Sequence, residues 1–465
     1  MRQQFALVLD AKYRCELWLQ STLPTAGSPV SIIADLLERH VREIPEWGHL
    51  PAALRLKEEA VARLGVDAAF RELRTALGVP GLDRLRRLPM VPVSQVARAE
   101  GAMVAECWPG GESILRASLK THLAPAAAPI PGRSRAGWLA RFDDARIRGR
   151  SSLLQVGDRL LQDIEPGEGG FPDQPTYDPG LLHVECGWAW AMDADVPAMR
   201  VDEAFWLGGN HTVDFGHWVV EYLPKLMMAR DCGLPEGITV LVDAHIPATV
   251  RAALPHWLPH GSELVSVPHL AQVEVGRLWC APTPYYTGFY PLEWSDATWA
   301  GRSAAPVPMA TLFRHLRQAL GDAIAAPTGR PRLYLARKPE RSKKKLLNHD
   351  AIEALAAQAG FERIYPEDYP LVEQIRLAAH ATHLLAPEGS NNLLAFLASP
   401  GTKVATLSPP YTYPLGGVGA ILAELGVDFE VVVGPDEPTE DGFCAFWNDY
   451  RIPPADFAAW LRDWI

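Results

Sequence analysis

Between residues 238 and 407, short apolar runs alternate with patterns of helical period. Ile238-Thr239-Val240-Leu241-Val242 reads as a buried strand, followed by a helix around 248–254. Arg332-Leu333-Tyr334-Leu335-Ala336-Arg337 reads as a strand, and 351–360 as an alanine-rich helix closed by Gly360. His383-Leu384-Leu385-Ala386 and Val404-Ala405-Thr406-Leu407 are two further short strands with a helix between them. Strands alternating with helices imply parallel sheets covered on both faces. Two such runs flank a stretch near 295–330, so two Rossmann-like domains are expected.

The rest of the chain is patterned differently. Residues 28–79 read as helices: Ser31 caps a run with Ile32, Ile33, Leu36 and Leu37 on one face, and Leu54, Leu56, Val61 and Leu64 keep helical spacing beyond Pro51. Residues 121–137, with Pro125, Pro129, Pro131 and Gly132, read as linker, and Glu165 to Gly180 is rich in turn residues. After Pro453-Pro454, Phe457, Trp460, Leu461 and Trp464 recur at helical spacing. The expected division is a largely helical N-terminal region over 1–165, a first Rossmann-like domain over 166–310, a second over 311–450, and a C-terminal helix over 451–465.

At 465 residues the chain exceeds what one core organises. A net charge of −11 argues against nucleic acid or an anionic membrane as partner, since phosphate binding needs a basic surplus. Cys15, Cys107, Cys186, Cys232, Cys280 and Cys444 are scattered, so neither a disulfide framework nor a zinc cluster is expected, and a reducing compartment fits. Met1-Arg2-Gln3-Gln4-Phe5 opens no signal peptide, and no run approaches the roughly eighteen apolar residues of a membrane span. A cytoplasmic protein is expected, with a homo-oligomer left open.

The segment Gly216-His217-Trp218-Val219-Val220-Glu221-Tyr222-Leu223-Pro224-Lys225-Leu226 resembles a motif of glycosyltransferase family 61. Three further blocks match in order: Arg332 to Lys338; Leu346-Leu347-Asn348 with Gly360-Phe361 and Glu373-Gln374; and Pro387-Glu388-Gly389-Ser390-Asn391-Asn392-Leu393 running to Pro400-Gly401-Thr402-Lys403-Val404. The resemblance covers roughly 205–410. The chain departs from the commoner pattern at Ala336 (serine), Glu388 (histidine) and Ser390 (alanine). The resemblance implies a GT-B-like fold with two Rossmann-like domains facing a cleft. It also implies an inverting, metal-independent transferase taking a nucleotide sugar, UDP-linked, to a glycan or polysaccharide acceptor.

Such transfer needs a partner for the diphosphate leaving group, a base for the acceptor proton, and exclusion of water. Without metal, arginine, lysine and backbone N–H groups at a helix start hold the diphosphate. Gly389, Ser390 and Asn391 follow a strand, where open α/β sheets bind ligands, and Ser390 or Asn391 can cap the next helix; an ordinary strand-to-helix turn would look the same. Arg337 ends the preceding strand and suits a phosphate, with Lys338 as second candidate. Glu373 and Glu388 are candidates for the ribose hydroxyls, against a plain reading as solvated carboxylates. His217 is the candidate base and Glu221, four residues on, its orienting carboxylate. Asp214 and His211 are alternative bases, and Trp218 reads as core.

No resident cofactor or metal is expected. Two rival readings remain. Asp193-Ala194-Asp195 after an apolar run fits a metal-dependent GT-A transferase, or a turn ending at Pro197. The Glu388 and Ser390 departures fit a protein that binds nucleotide or carbohydrate without catalysis.

Overall fold

The computed structural model describes residues 85–115, 120–123, 130–163, 178, 181–185, 187–192, 198–268, 271–285, 305–325, 331–338, 345–410, 414–437 and 448–465. The helices expected over 28–79 and the Asp193–Asp195 triplet lie outside these residues.

Two large sheets organise the rest. The first has eleven strands. Its parallel part runs Glu263–Val267, Thr239–Asp243, Met199–Trp206, Gln272–Cys280. Gln272–Cys280 then pairs antiparallel with Gly137–Arg148, with Val275 opposite Ala145. From there the sheet continues through Leu154–Val156, Arg159–Gln162, Leu85–Pro92, Trp188–Met192 and Leu181–Glu185, while Met103–Trp108 flanks Gly137–Arg148.

This differs from the largely helical N-terminal region the sequence suggested. Within 85–163 the described elements are strands, apart from the helix Val93–Ala99. Leu85–Pro92, Met103–Trp108, Gly137–Arg148, Leu154–Val156 and Arg159–Gln162 join the same sheet as the strands between 199 and 280, so the sheet crosses the expected boundary near 165; Gly111–Leu115 and Ile130–Ser134 pair with each other apart from it. The cause is local composition. Gly137–Arg148 buries Trp138, Ala140, Phe142, Ala145 and Ile147 but exposes Arg141, Asp143 and Asp144, so its charges mask its strand character.

The second sheet has six strands, all parallel, in the order Phe361–Ile364, Arg332–Leu335, His383–Pro387, Lys403–Ser408, Asp428–Val433, Lys120–His122. Its edge strand comes from the stretch read as linker. Lys120 pairs with Asp428 at 2.7 Å and His122 Nε2 lies 2.7 Å from Glu430, so long-range polar contacts supplement a three-residue strand.

One apolar cluster draws on both halves, from Phe205, Trp218 and Val240 to Leu333, Phe396 and Val431. The helix Pro306–Leu320 binds the halves together. Phe313 stacks on Phe396 at 4.6 Å, and the Leu316 carbonyl accepts from Trp257 Nε1 at 2.9 Å.

The C-terminal helix, Pro454–Trp464, was expected to cross back onto the first domain. It packs instead on the second sheet, where Phe457, Trp460, Leu461 and Trp464 join Tyr334, Leu385, Ala405 and Val432. Trp464 meets His383 edge-on at 5.0 Å, and Lys403 Nζ donates to the Trp464 carbonyl at 2.7 Å. An eleven-residue helix is marginal alone. Four buried large side chains, each contributing about 1.5–3 kcal/mol, fix it on the nearest matching apolar face.

The expectation of unpaired cysteines is also corrected. Cys107 and Cys232 form a disulfide, with Cα atoms 5.9 Å apart. It ties the strand Met103–Trp108 to the residue that ends the helix Leu223–Asp231. The two residues are 125 positions apart, and pairing with Gly137–Arg148 is what brings the strand there. Cys280 is a buried free thiol. Among the described residues, no helix is long and apolar enough to cross a membrane.

Candidate active site

On the first sheet the chain leaves the strand Met199–Trp206 through Leu207–Asp214, beside the end of the parallel strand Thr239–Asp243. The loop closes tightly over its neighbours. A Cβ on Gly208 would lie 2.1 Å from the Trp206 ring, and one on Gly209 2.6 Å from the Tyr222 hydroxyl. Asp243, fully buried, accepts from Thr212 Oγ1 (2.5 Å), Arg150 N (2.5 Å) and Gly209 N (3.2 Å). Burial pushes its carboxyl up to about 6, although these hydrogen bonds favour the charged form. Asn210 accepts from Ser152 Oγ at 2.8 Å, Trp218 Nε1 donates to the Thr212 carbonyl at 2.7 Å, and His211 N donates to the Tyr222 hydroxyl at 3.2 Å. Trp218 is thus core, as read.

The following helix is composite: an α turn Phe215–His217, a π turn Trp218–Tyr222, then α-helix Leu223–Asp231. A π turn inserts an extra residue per turn and recurs at functional sites. Here it carries the predicted dyad. His217 Nδ1 lies 2.8 Å from Glu221 Oε1, with the imidazole 12% and the carboxylate 2% exposed. This is the geometry of an Nδ1–H donating to the carboxylate, which places the basic lone pair on Nε2. The His211 ring stacks on His217 at 4.3 Å, 20° from parallel. Burial first, then His217 and Arg150, hold His211 well below the usual histidine range, so it is neutral near pH 7.

Asp214 precedes the first turn, its N–H donating to the His211 carbonyl at 3.0 Å. The sequence showed no ligand cluster, yet the fold gathers one. The donor atoms of His211, Asp214 and His217 lie within 4.8 Å of one another and could hold a metal ion. One turn beyond Glu221, Lys225 is buried too. Burial lowers its pKa, against Asp163, Cys280 and Glu221, which favour its charge. Asp163 is itself held by Arg135 Nη2 (3.0 Å) and Thr283 N (2.7 Å), and burial pushes the Cys280 thiol up to about 12.

On the second sheet, Arg337 follows the strand Arg332–Leu335 and Gly389 follows His383–Pro387. Arg337 Nη1 donates to the Glu388 carbonyl at 2.9 Å, which lays the guanidinium over the next residue. Gly389 has φ +151°, and a Cβ there would lie 2.0 Å from Arg337 Nη1, so only glycine fits. The segment after it, Ser390–Leu397, is a 3₁₀ helix with Gly389 at its N-cap and no side-chain cap bond. Neither Ser390 nor Asn391 caps it, contrary to expectation. Asn391 Nδ2 donates instead to the Ala336 carbonyl at 3.0 Å, tying the two strand ends together.

Two of the predicted donor-side residues are engaged elsewhere. Lys338 Nζ holds Asp368 at 2.5 Å and lies 5.7 Å from the Tyr365 ring centre. Glu373 pairs with Arg376 in its own helix, which lowers its pKa. Glu388 is partly buried; its N–H donates to the Leu407 carbonyl at 2.8 Å, the atom that also accepts from the Tyr450 hydroxyl at 2.8 Å.

The two sides meet at Gly216. A Cβ on Gly216 would lie 2.9 Å from Ser390 Oγ and 3.3 Å from Leu393 Cδ1. The fold therefore joins His217, Glu221 and Asp214 to Ser390 and its neighbours Gly389, Asn391 and Arg337. The residues that sequence reading passed over are the supports, Asp243, Thr212, Asn210 and Tyr222. A polar Asp243 ending a buried apolar strand, and the run Gly208-Gly209-Asn210, were their visible signals.

No curated protein matches the chain significantly. Residues 215–405 match the family described as Glycosyltransferase 61, a span that opens one residue before Gly216 and takes in both sides of the junction. That match supports membership of glycosyltransferase family 61 and, with it, glycosyltransferase activity.

Proposed function

We propose that the protein is an inverting transferase of the GT-B type that moves a sugar from a nucleotide-sugar donor to a glycan acceptor, without metal in the chemical step. The donor lies between the two sheets, its diphosphate toward Arg337 and the Gly389–Asn391 loop. The observation that carries the reading is the Gly216–Ser390 contact, which sets a histidine–carboxylate dyad beside an arginine laid over a glycine loop.

The acceptor oxygen attacks the anomeric carbon, the carbon–phosphate-oxygen bond breaks, and its electron pair leaves on the diphosphate. His217 Nε2 takes the acceptor proton, and Glu221 holds the tautomer and stabilises the imidazolium. Arg337 balances the charge growing on the leaving group. Lys338 and Glu373 have secondary parts at most in this scheme, because Asp368 and Arg376 already hold them. Glu388 contributes its backbone, which positions Arg337.

A screen of nucleotide sugars, UDP-linked donors first, tests the reading through thermal shift, nucleotide release and NMR of the product anomer. The expected result is binding of a narrow set of donors, inverted product configuration, and turnover that survives EDTA. Retention of configuration, or turnover lost to EDTA and restored by Mn²⁺, overturns it.

A further inference from the structure

His211 and Asp214 take no part in the proton transfer, yet both are held in place beside the base. The donor atoms of His211, Asp214 and His217 lie within 4.8 Å of one another. Ligand atoms around a tetrahedral ion with bonds of about 2.0–2.1 Å stand roughly 3.4 Å apart, so small side-chain rotations close the set.

Three features make this a built arrangement. The His217 ring is oriented through Nδ1 by the buried Glu221 carboxylate, the partner commonly found behind a metal-bound histidine, and coordination then falls to Nε2. The His211 backbone is anchored on the Tyr222 hydroxyl at 3.2 Å and its ring lies against His217. The loop that presents Asp214 is pinned by Thr212 on buried Asp243 and by the Asp214 N–H on the His211 carbonyl. Two imidazoles and one carboxylate suit a borderline transition ion; Mg²⁺ and Ca²⁺ prefer oxygen ligands. Three protein ligands leave a fourth position for water.

We infer that His211, Asp214 and His217 bind one divalent transition metal of the Zn²⁺ kind, and that occupancy silences transfer by taking His217 Nε2. The binding half stands on the geometry alone; the inhibitory half rests on the reading of His217 as base.

The test uses the full chain, stripped with chelator and titrated with Zn²⁺ by calorimetry. One equivalent should bind and raise the unfolding temperature. His211→Gln and Asp214→Asn should each weaken binding at least about tenfold, and Glu221→Gln about 10–100-fold, the usual range for an orienting partner. Zinc-edge X-ray absorption on the wild-type chain should report two imidazole ligands, a readout that needs no variant to fold. Binding unchanged in His211→Gln, or a ligand shell without imidazole, overturns the site.

In the transfer assay, Zn²⁺ should inhibit with the midpoint of its binding curve, and chelator should restore the rate. Bound Zn²⁺ with undiminished turnover overturns the inhibitory half and removes His217 as base while leaving the site. No binding, alongside a slow His217→Ala enzyme, overturns the site and leaves the base.

Discussion

On the first sheet the site is made of buried side chains bonded to one another; on the second it is made of main chain, one guanidinium and a glycine. Asp243, Thr212, Asn210, His211, Tyr222 and Glu221 are all under a tenth exposed and form a dense polar layer under the loop. Arg337, Gly389, Ser390 and Asn391 are each partly exposed, and their order comes from strand ends and two hydrogen bonds to carbonyls. Under the proposed function, the difference follows from the chemistry each side would handle. A proton must pass to one nitrogen in one tautomer, so the ring must be fixed through partners that cannot rearrange. A diphosphate spreads its charge over several oxygens and is met by backbone N–H groups and an arginine without a buried network.

That contrast can be attacked at each side. The largest effect is expected at the base. His217→Ala should lower turnover by about two to four orders of magnitude with donor affinity nearly intact, and His217→Gln should be almost as slow. Initial rates with donor calorimetry decide. Donor binding lost with turnover preserved at saturation would make His217 a donor ligand and Asp214 the better base.

Across the junction, Gly389→Ala places a methyl 2.0 Å from Arg337 Nη1 and forces an L-residue into a glycine conformation. It should cost about 1–3 kcal/mol of stability for the backbone alone. It should also weaken nucleotide binding at least as much as loss of the guanidinium, as read by thermal unfolding and calorimetry. Arg337→Ala itself should weaken nucleotide affinity by about 1.5–3 kcal/mol, the range for a charged hydrogen bond, with little change in stability. Unchanged affinity in a folded Arg337→Ala protein would take the guanidinium out of the donor site.

The smallest effect is a pH slope from the first side. The Asp243 carboxyl stands near 6 in the folded protein against 3.8 for the ordinary group. Its contribution to stability is therefore fully present below about 3.8 and is lost as pH rises through about 6. Urea unfolding at intervals from pH 4 to pH 7 should show this fall, on the order of 2 kcal/mol, in wild type and not in Asp243→Asn. Equal slopes in the two proteins would show that the network stabilises the charged form fully.

The elements nearest the chemistry could be read locally. The strands at 239–243, 332–335, 383–387 and 403–408 announce themselves as apolar runs between turn residues, because both faces of a parallel sheet are covered. The i,i+4 spacing of His217 and Glu221 already put the two on one helix face, and the π turn preserved that meeting. Gly389 declared a backbone need that one residue type can meet.

Long-range partnership was not legible. The strands between 85 and 163 carry outward charges that hide their period, and Lys120–His122 is a strand only because Asp428–Val433 offers it an edge. The apolar stripe of the C-terminal helix showed that it would be buried but not on which sheet. Cys107 and Cys232 gave no sign of each other across 125 residues. Lys338 and Glu373 looked available for a donor until Asp368 and Arg376 were found beside them. Local sequence carries backbone preference and periodicity, which are properties of neighbours along the chain. Pairing of edges, disulfides and charges depends on which surfaces meet in space, and at Gly216 and Ser390 that meeting creates the site.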